Sequence, residues 1–141
     1  MSIKIHYDKI KFRIRRTGEL RRFLEKVIGD EELLPGDLNF IFTNDASIIQ
    51  INREFLGHDY FTDVITFNNS EGSILNGEIY LSVDTIKRNA QEYKVKLYQE
   101  IARVMIHGVL HLCGYNDDSE RSRKVMLKRQ EELLKEFLKK V

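Results

Sequence analysis

The segment from Leu97 to Cys113 constrains this chain more than any other. It contains Ile101, Ala102, Val104, Met105, Ile106, Val109, Leu110 and Leu112, has no proline, and runs into Gly114. Apolar residues at that density predict a helix buried around most of its circumference. It is shorter than the roughly 20 apolar residues a membrane span needs, so other elements of the chain must cover it. Gly114 stands where the helix should end, at a position suited to positive φ.

Two histidines interrupt the apolar pattern. His107 and His111 are four residues apart, which places both imidazoles on one face, one turn from each other. Such pairs also arise by chance on helix surfaces, but imidazoles in apolar surroundings need polar partners. A shared metal ion satisfies both, at about 2.0–2.1 Å from each nitrogen. If the chain reverses at Gly114, a third donor can return from Asn116, Asp117 or Asp118. An amide is a poor zinc ligand. Asp117 has the spacing of the third ligand in H-E-x-x-H-x-x-G-x-x-H enzymes. Asp118 stays open as a ligand, and can instead cap the last helix, a role for which Ser119 competes.

The pattern is therefore H-x-x-x-H-x-x-G-x-x-D on a zincin-like helix. Three protein ligands and an open position are the layout of a catalytic zinc, one per chain, and oxygen ligation makes manganese or another divalent ion competitive. Gly108 occupies the position where zincins carry their glutamate base, which disfavours peptide hydrolysis by that route. A metal-activated water can still attack a phosphodiester.

The remaining pattern mixes strands and helices. Strands are expected at Ile3–Tyr7, Leu38–Phe42, Asp63–Phe67 and Glu78–Val83. Helices are expected from a Thr17 cap to Ile28, from an Asn44 or Asp45 cap through Phe55, from an Asp84 cap to Tyr93, and from Ser119 to Lys139. Gly57-His58-Asp59 should break the second helix, and Pro35-Gly36 should form a turn. One α+β domain over residues 1–141, with a four-stranded sheet, is the natural architecture. A single cysteine excludes an internal disulfide framework, and no secretory h-region is visible, so the cytoplasm is the expected compartment.

Net charge is +1 but unevenly spread: +5 over residues 1–30, −9 over 31–84 and +5 over 85–141. Solvated helix faces and an acidic loop region account for this as simply as a nucleic-acid surface does.

The stretch His107-Gly108-Val109-Leu110-His111-Leu112-Cys113-Gly114-Tyr115-Asn116-Asp117 resembles the H-G-x-L-H-L-x-G-Y-D-H signature of the YbeY family of bacterial rRNA-maturation endoribonucleases. Upstream, Ile51-Asn52 through Asp59 and Thr62-Asp63-Val64-Ile65-Thr66-Phe67 are similar to that family's L-N-x-x-Y-R-x-x-D-x-P-T-[DN]-V-L-S-F segment, and Gly77-Glu78-Ile79-Tyr80-Leu81 to its G-D-I-x-[IL] strand. The resemblance implies a mostly parallel mixed sheet packed with helices, and a zinc in a cleft. It implies single-strand-specific RNA cleavage, small-subunit rRNA 3′ end maturation and ribosome quality control, with rRNA and the small ribosomal subunit as partners and no membrane. The sequence departs from the pattern at Asp117 for the third histidine, Asn116 for the preceding aspartate, Leu56 for an arginine, and Phe61 for a proline.

Further residues attach to this reading. Arg103, one turn before His107, can grip a phosphate or pair with Glu100 or another acid. Asp63 can orient a ligand histidine or serve as a turn residue. Arg15, Arg16, Arg21 and Arg22, with Lys26, offer an RNA-facing surface or a solvated helix face. Cys113 reads as a small core residue and His58 as a solvated turn residue. Two other functions stay open: a metal-dependent hydrolase of another substrate, and a ribosome-assembly factor whose zinc is mainly structural.

Overall fold

The computed structural model describes residues 2–58 and 62–140. Its elements in chain order are β1 (Ser2–Tyr7), α1 (Thr17–Asp30), β2 (Leu34–Thr43), α2 (Asp45–Ile51) running into a π-helical turn (Asn52–Leu56), β3 (Val64–Asn68), β4 (Ile74–Ser82), α3 (Val83–Tyr93), α4 (Leu97–Leu112) and α5 (Glu120–Leu138). The strands form one sheet in the order β1-β2-β4-β3. β1–β2 and β2–β4 are parallel and β3–β4 is antiparallel, so β3 is an edge strand. This is the α+β, mostly parallel mixed sheet expected. Among the described residues no helix is long and apolar enough to cross a membrane.

Alternation sets the buried face. Leu38, Phe40 and Phe42 of β2 lie beside Leu75, Ile79 and Leu81 of β4, all fully or almost fully buried, and the register pairs Phe40 with Ile79 and Phe42 with Leu81. α1 buries Leu20, Phe23, Leu24, Val27 and Ile28 in the same core. Each such side chain contributes about 1.5–3 kcal/mol by leaving water. Burial, rather than intrinsic propensity, therefore decides that a segment this short is helical. α4 contributes ten buried residues and lies against the sheet at Gly108. A Cβ added at Gly108 would stand 3.0 Å from Ile79 Cγ2, so the position of the missing zincin glutamate faces β4 at a spacing that only glycine meets without crowding.

Four local expectations change. Pro35-Gly36 lies inside β2 as a bulge, where the register shifts between Pro35 and Leu38; the Asn76 side chain accepts the Asp37 N–H at 2.7 Å. Arg16, not Thr17, is the N-cap of α1 and makes no side-chain cap bond. Ser82, not Asp84, caps α3 by accepting the Thr85 N–H. The helix capped by Asn44 passes into the π-turn at Asn52 and ends at Gly57, whose φ is 69°. Asp59 and Phe61, named in the helix break and in the family likeness, lie outside the described residues.

Candidate metal centre

α4 ends in a Schellman motif: Tyr115 N–H bonds Leu110 C=O and Gly114 N–H bonds His111 C=O, with Gly114 at φ 110°. The Tyr115 hydroxyl then donates to Glu31 at 3.2 Å, tying the reversed chain to the C-terminal end of α1. Burial first, and Glu31 second, push the Tyr115 hydroxyl pKa upward. The reversal sorts the three candidate donors. Asp117 lines the same cleft as His107 and His111. Asn116 lines a different depression, with Ser119 and Val125. Asp118 accepts from the Ser122 hydroxyl, while Ser119 caps α5 in a reciprocal capping box.

The cleft has a volume of about 540 Å³. One wall is the α4 face with His107 and His111. The other holds Asn52 and Leu56 of the π-turn, His58, Thr62, Asp63 and the β3 residues Val64, Ile65 and Thr66. An adjoining depression of about 450 Å³ contains Glu100, Arg103, Gln130 and Glu131 and shares Asp63 and His107 with the cleft.

His107 is held by a chain of polar contacts from α5. Gln130 Nε2 donates to Glu131 Oε2 at 3.0 Å, which directs Gln130 Oε1 toward His107 Nδ1 at 2.7 Å. An amide oxygen only accepts, so this network assigns the His107 proton to Nδ1 and leaves the Nε2 lone pair bare. Arg103 extends the chain: Nε and Nη2 donate to both Glu131 oxygens at 3.0 and 3.1 Å, and Nη1 donates to Glu100 at 2.7 Å. Glu100 is 2% exposed. Burial raises its carboxyl pKa, with Arg103 opposing. Arg103 thus grips two carboxylates in the structure, and the fork it could offer a phosphate is occupied by Glu131.

Asp63 faces the cleft but bonds neither imidazole; the partner that orients His107 is Gln130. No local signal marked Gln130, which stands twenty-three residues from His107 on another helix. His58, expected as a solvated turn residue, is exposed yet lines the same cleft as the two histidines. Cys113 packs against the core, and burial, with Glu31 adding, pushes its thiol up to about 12, which makes it inert as a nucleophile. The arginines do not form one patch. Arg15 and Arg16 line a notch with Lys94 and Lys96. Arg22 lines a different hollow with Glu19 and Lys26. Arg21 is half-buried, its Nε without a partner.

Among the described residues, no three His, Cys, Asp or Glu side chains converge closely enough to hold an ion as they stand. The donor chemistry nevertheless fits one. A histidine that gives its Nδ1 proton to an amide oxygen presents Nε2 as metal ligands do. The half-buried His111 ring has no hydrogen-bond partner among the described residues, and Asp117 is an exposed carboxylate on the same cleft, likewise without a hydrogen bond or ion pair.

An α+β chain with a mostly parallel sheet and a helix-borne histidine pair over a cleft is a recognisable class. The family model for Endoribonuclease YbeY matches residues 3–138. The chain is 39% identical over 131 residues to the endoribonuclease YbeY of Christiangramia forsetii, covering 93% of this chain and 92% of that one. It is 40% identical over 135 residues to the endoribonuclease YbeY of Flavobacterium psychrophilum, covering 96% of each. The solution structure of TM1509 from Thermotoga maritima superposes with a TM-score of 0.68 at 29% identity, covering 98% of this chain and 90% of that one. The chain belongs to the YbeY family.

Proposed function

We propose that this protein is a metal-dependent endoribonuclease, specific for single strands, that acts on small-subunit rRNA at its 3′ end in ribosome maturation and quality control. The observation that carries the proposal is the α4 wall of the cleft. There His107 is held in the tautomer that frees Nε2, one turn from His111, in the cleft that Asp117 also lines. Relatives that cover nearly the whole chain bear the name endoribonuclease, which supports the reaction class.

In this reading His107, His111 and Asp117 hold one zinc ion per chain. A divalent ion there supplies Lewis acidity toward the scissile phosphodiester. The chain's own groups do the rest. Gln130 fixes the ligand tautomer. Asp63 and His58, on the opposite wall, are the side chains with proton-carrying chemistry nearest in kind to a general base or acid. Leu56 gives that wall an apolar contact where the family pattern has an arginine. Phosphate contact by Arg103 requires it to give up Glu131. The partners are rRNA and the small ribosomal subunit, and the compartment is the cytoplasm.

The test is a cleavage assay on single-stranded and duplex RNA, with casein as the competing substrate, comparing wild type and His111→Ala. Cleavage of single strands alone, lost in the variant, is expected. Proteolysis, or RNA cleavage retained by His111→Ala, contradicts the proposal. Tight rRNA binding without turnover favours the assembly-factor role instead.

A further inference from the structure

The two ends of α4 differ in chemistry. Its C-terminal half carries the cleft. Its N-terminal end borders a separate notch of about 560 Å³, lined by Arg15, Arg16, Lys94, Lys96, Tyr98 and Gln99 among others. No carboxylate lines this notch; the charge of Glu19 is felt at its edge, on the Tyr98 hydroxyl, together with those of Arg15 and Arg16. Elsewhere among the described residues Lys26, Arg88, Arg103, Lys124, Arg129 and Lys140 meet carboxylates, while Lys4, Lys11, Lys128 and Lys139 stand singly on the surface; what sets the notch apart is that four cations line one hollow. Among the described residues the side chains of Arg15, Arg16, Lys94 and Lys96 meet no carboxylate and make no hydrogen bond.

Four cations around one hollow, with Glu19 only at its edge, repel one another, and a bound anion reduces that cost. The backbone adds to the field. α1 and α4 both start at this notch, and their N-caps, Arg16 and Lys96, make no side-chain cap bond. Their first-turn N–H groups thus lack a side-chain acceptor. Arg16 and Lys94 also hold left-handed φ values of 54° and 57°, unusual for residues with a Cβ.

The notch and the cleft share a helix face. Gln99, Arg103, His107 and His111 recur at intervals of four. Tyr98 and His107 are nine residues apart, about 13 Å at the helical rise of 1.5 Å per residue. We propose that the notch is a phosphate subsite, holding the backbone of a single RNA strand a few nucleotides from the bond in the cleft. The inference rests on the nuclease reading of the cleft and adds a second point of attachment to it.

The test is strand affinity against salt, measured by fluorescence anisotropy with a nuclease-resistant 2′-O-methyl RNA strand. Wild type is compared with an Arg15→Ala/Lys96→Ala double variant, both sites being exposed, and with a Lys4→Ala/Lys128→Ala control that removes equal charge from exposed positions of β1 and α5 outside the notch. Loss of two phosphate contacts should lower the slope of log affinity against log salt by about 1.4, at about 0.7 per contact on a single strand. Between 50 and 200 mM salt the variant then loses about sevenfold less affinity than wild type. An unchanged slope, an equal fall in the control, or no strand binding by wild type overturns the proposal. Inorganic phosphate titrated alone separates a strand site from a free-anion site: wild type binding it more tightly than the strand overturns the strand assignment. Because the strand resists cleavage, the difference in slope between wild type and the double variant reports on the notch, and the turnover assay reports separately on the cleft.

Discussion

The α4 wall of the cleft and the wall formed by residues 52–58 and 62–66 are anchored in different ways. Behind the α4 wall runs a closed chain, Glu100–Arg103–Glu131–Gln130–His107, that joins two helices and ends on a ring nitrogen. The opposite wall hangs from α2, whose Asp45 accepts from Ser82 and Thr85 hydroxyls, each at 2.6 Å, and pairs with Arg88 at 2.9 Å. Beyond that anchor it continues as a π-turn, a glycine and an edge strand. The two anchoring acids respond oppositely to their surroundings. Burial raises the Glu100 carboxyl, and a single cation does not offset it. Burial also pushes Asp45 upward, but Ser82, Thr85 and Arg88 outweigh it and hold the carboxyl below its ordinary value. The contrast teaches a division of labour: the ligand wall is fixed by a network with a costly buried carboxylate, Glu100, while the substrate wall is built from irregular backbone on a well-satisfied, half-buried anchor.

The largest effect expected on this contrast is from Arg103→Ala. It leaves Glu100 buried without its cation, at a cost of about 3 kcal/mol, the lower end of the range because Arg103 keeps some solvent contact. The sign with pH is fixed. A carboxyl raised in the folded state takes up a proton there before the unfolded chain does, so the variant's deficit shrinks as pH falls toward the carboxylate range. Urea denaturation at pH 7 and pH 5 reads this, and a pH-independent deficit breaks the account of the α4 wall. Next comes Gln130→Leu, which removes the acceptor on His107 Nδ1 and should weaken metal binding about 10–100-fold, read by chelator competition. Unchanged affinity would mean that the ring is held by helix packing alone. The smallest is Asp45→Asn, at about 1 kcal/mol near neutrality. Asp45 is lowered in the fold, so its stabilisation is complete above the unfolded carboxylate pKa of about 3.9 and is lost as pH falls through the lower folded value. Thermal melts of the variant and wild type should therefore converge in acid.

What could be read from the sequence was local. The apolar α4 helix, the histidine pair and the reversal at Gly114 are all set by residues within one or two turns of each other, and each appears where the spacing puts it. The Asn44 cap was legible for the same reason. The bulge at Pro35 was not, because the group that satisfies it is Asn76 on a different strand. Gln130 and the second acid on Arg103 come from α5, and no spacing rule connects them to α4. Gly108 looked like a lost catalytic residue; the fold shows a helix–sheet contact at Ile79. The exposure of His58 was legible, but its place on the cleft was not, because a histidine in a glycine turn carries no periodicity to say which way it faces.

The most direct test of the central claim is metal content by mass spectrometry of the purified protein, wild type beside His111→Ala and Asp117→Ala. About one zinc per chain in wild type, lost in both variants, is the expected result for a three-ligand site. No metal in wild type after zinc is supplied, or zinc retained at full occupancy in His111→Ala, would contradict the account.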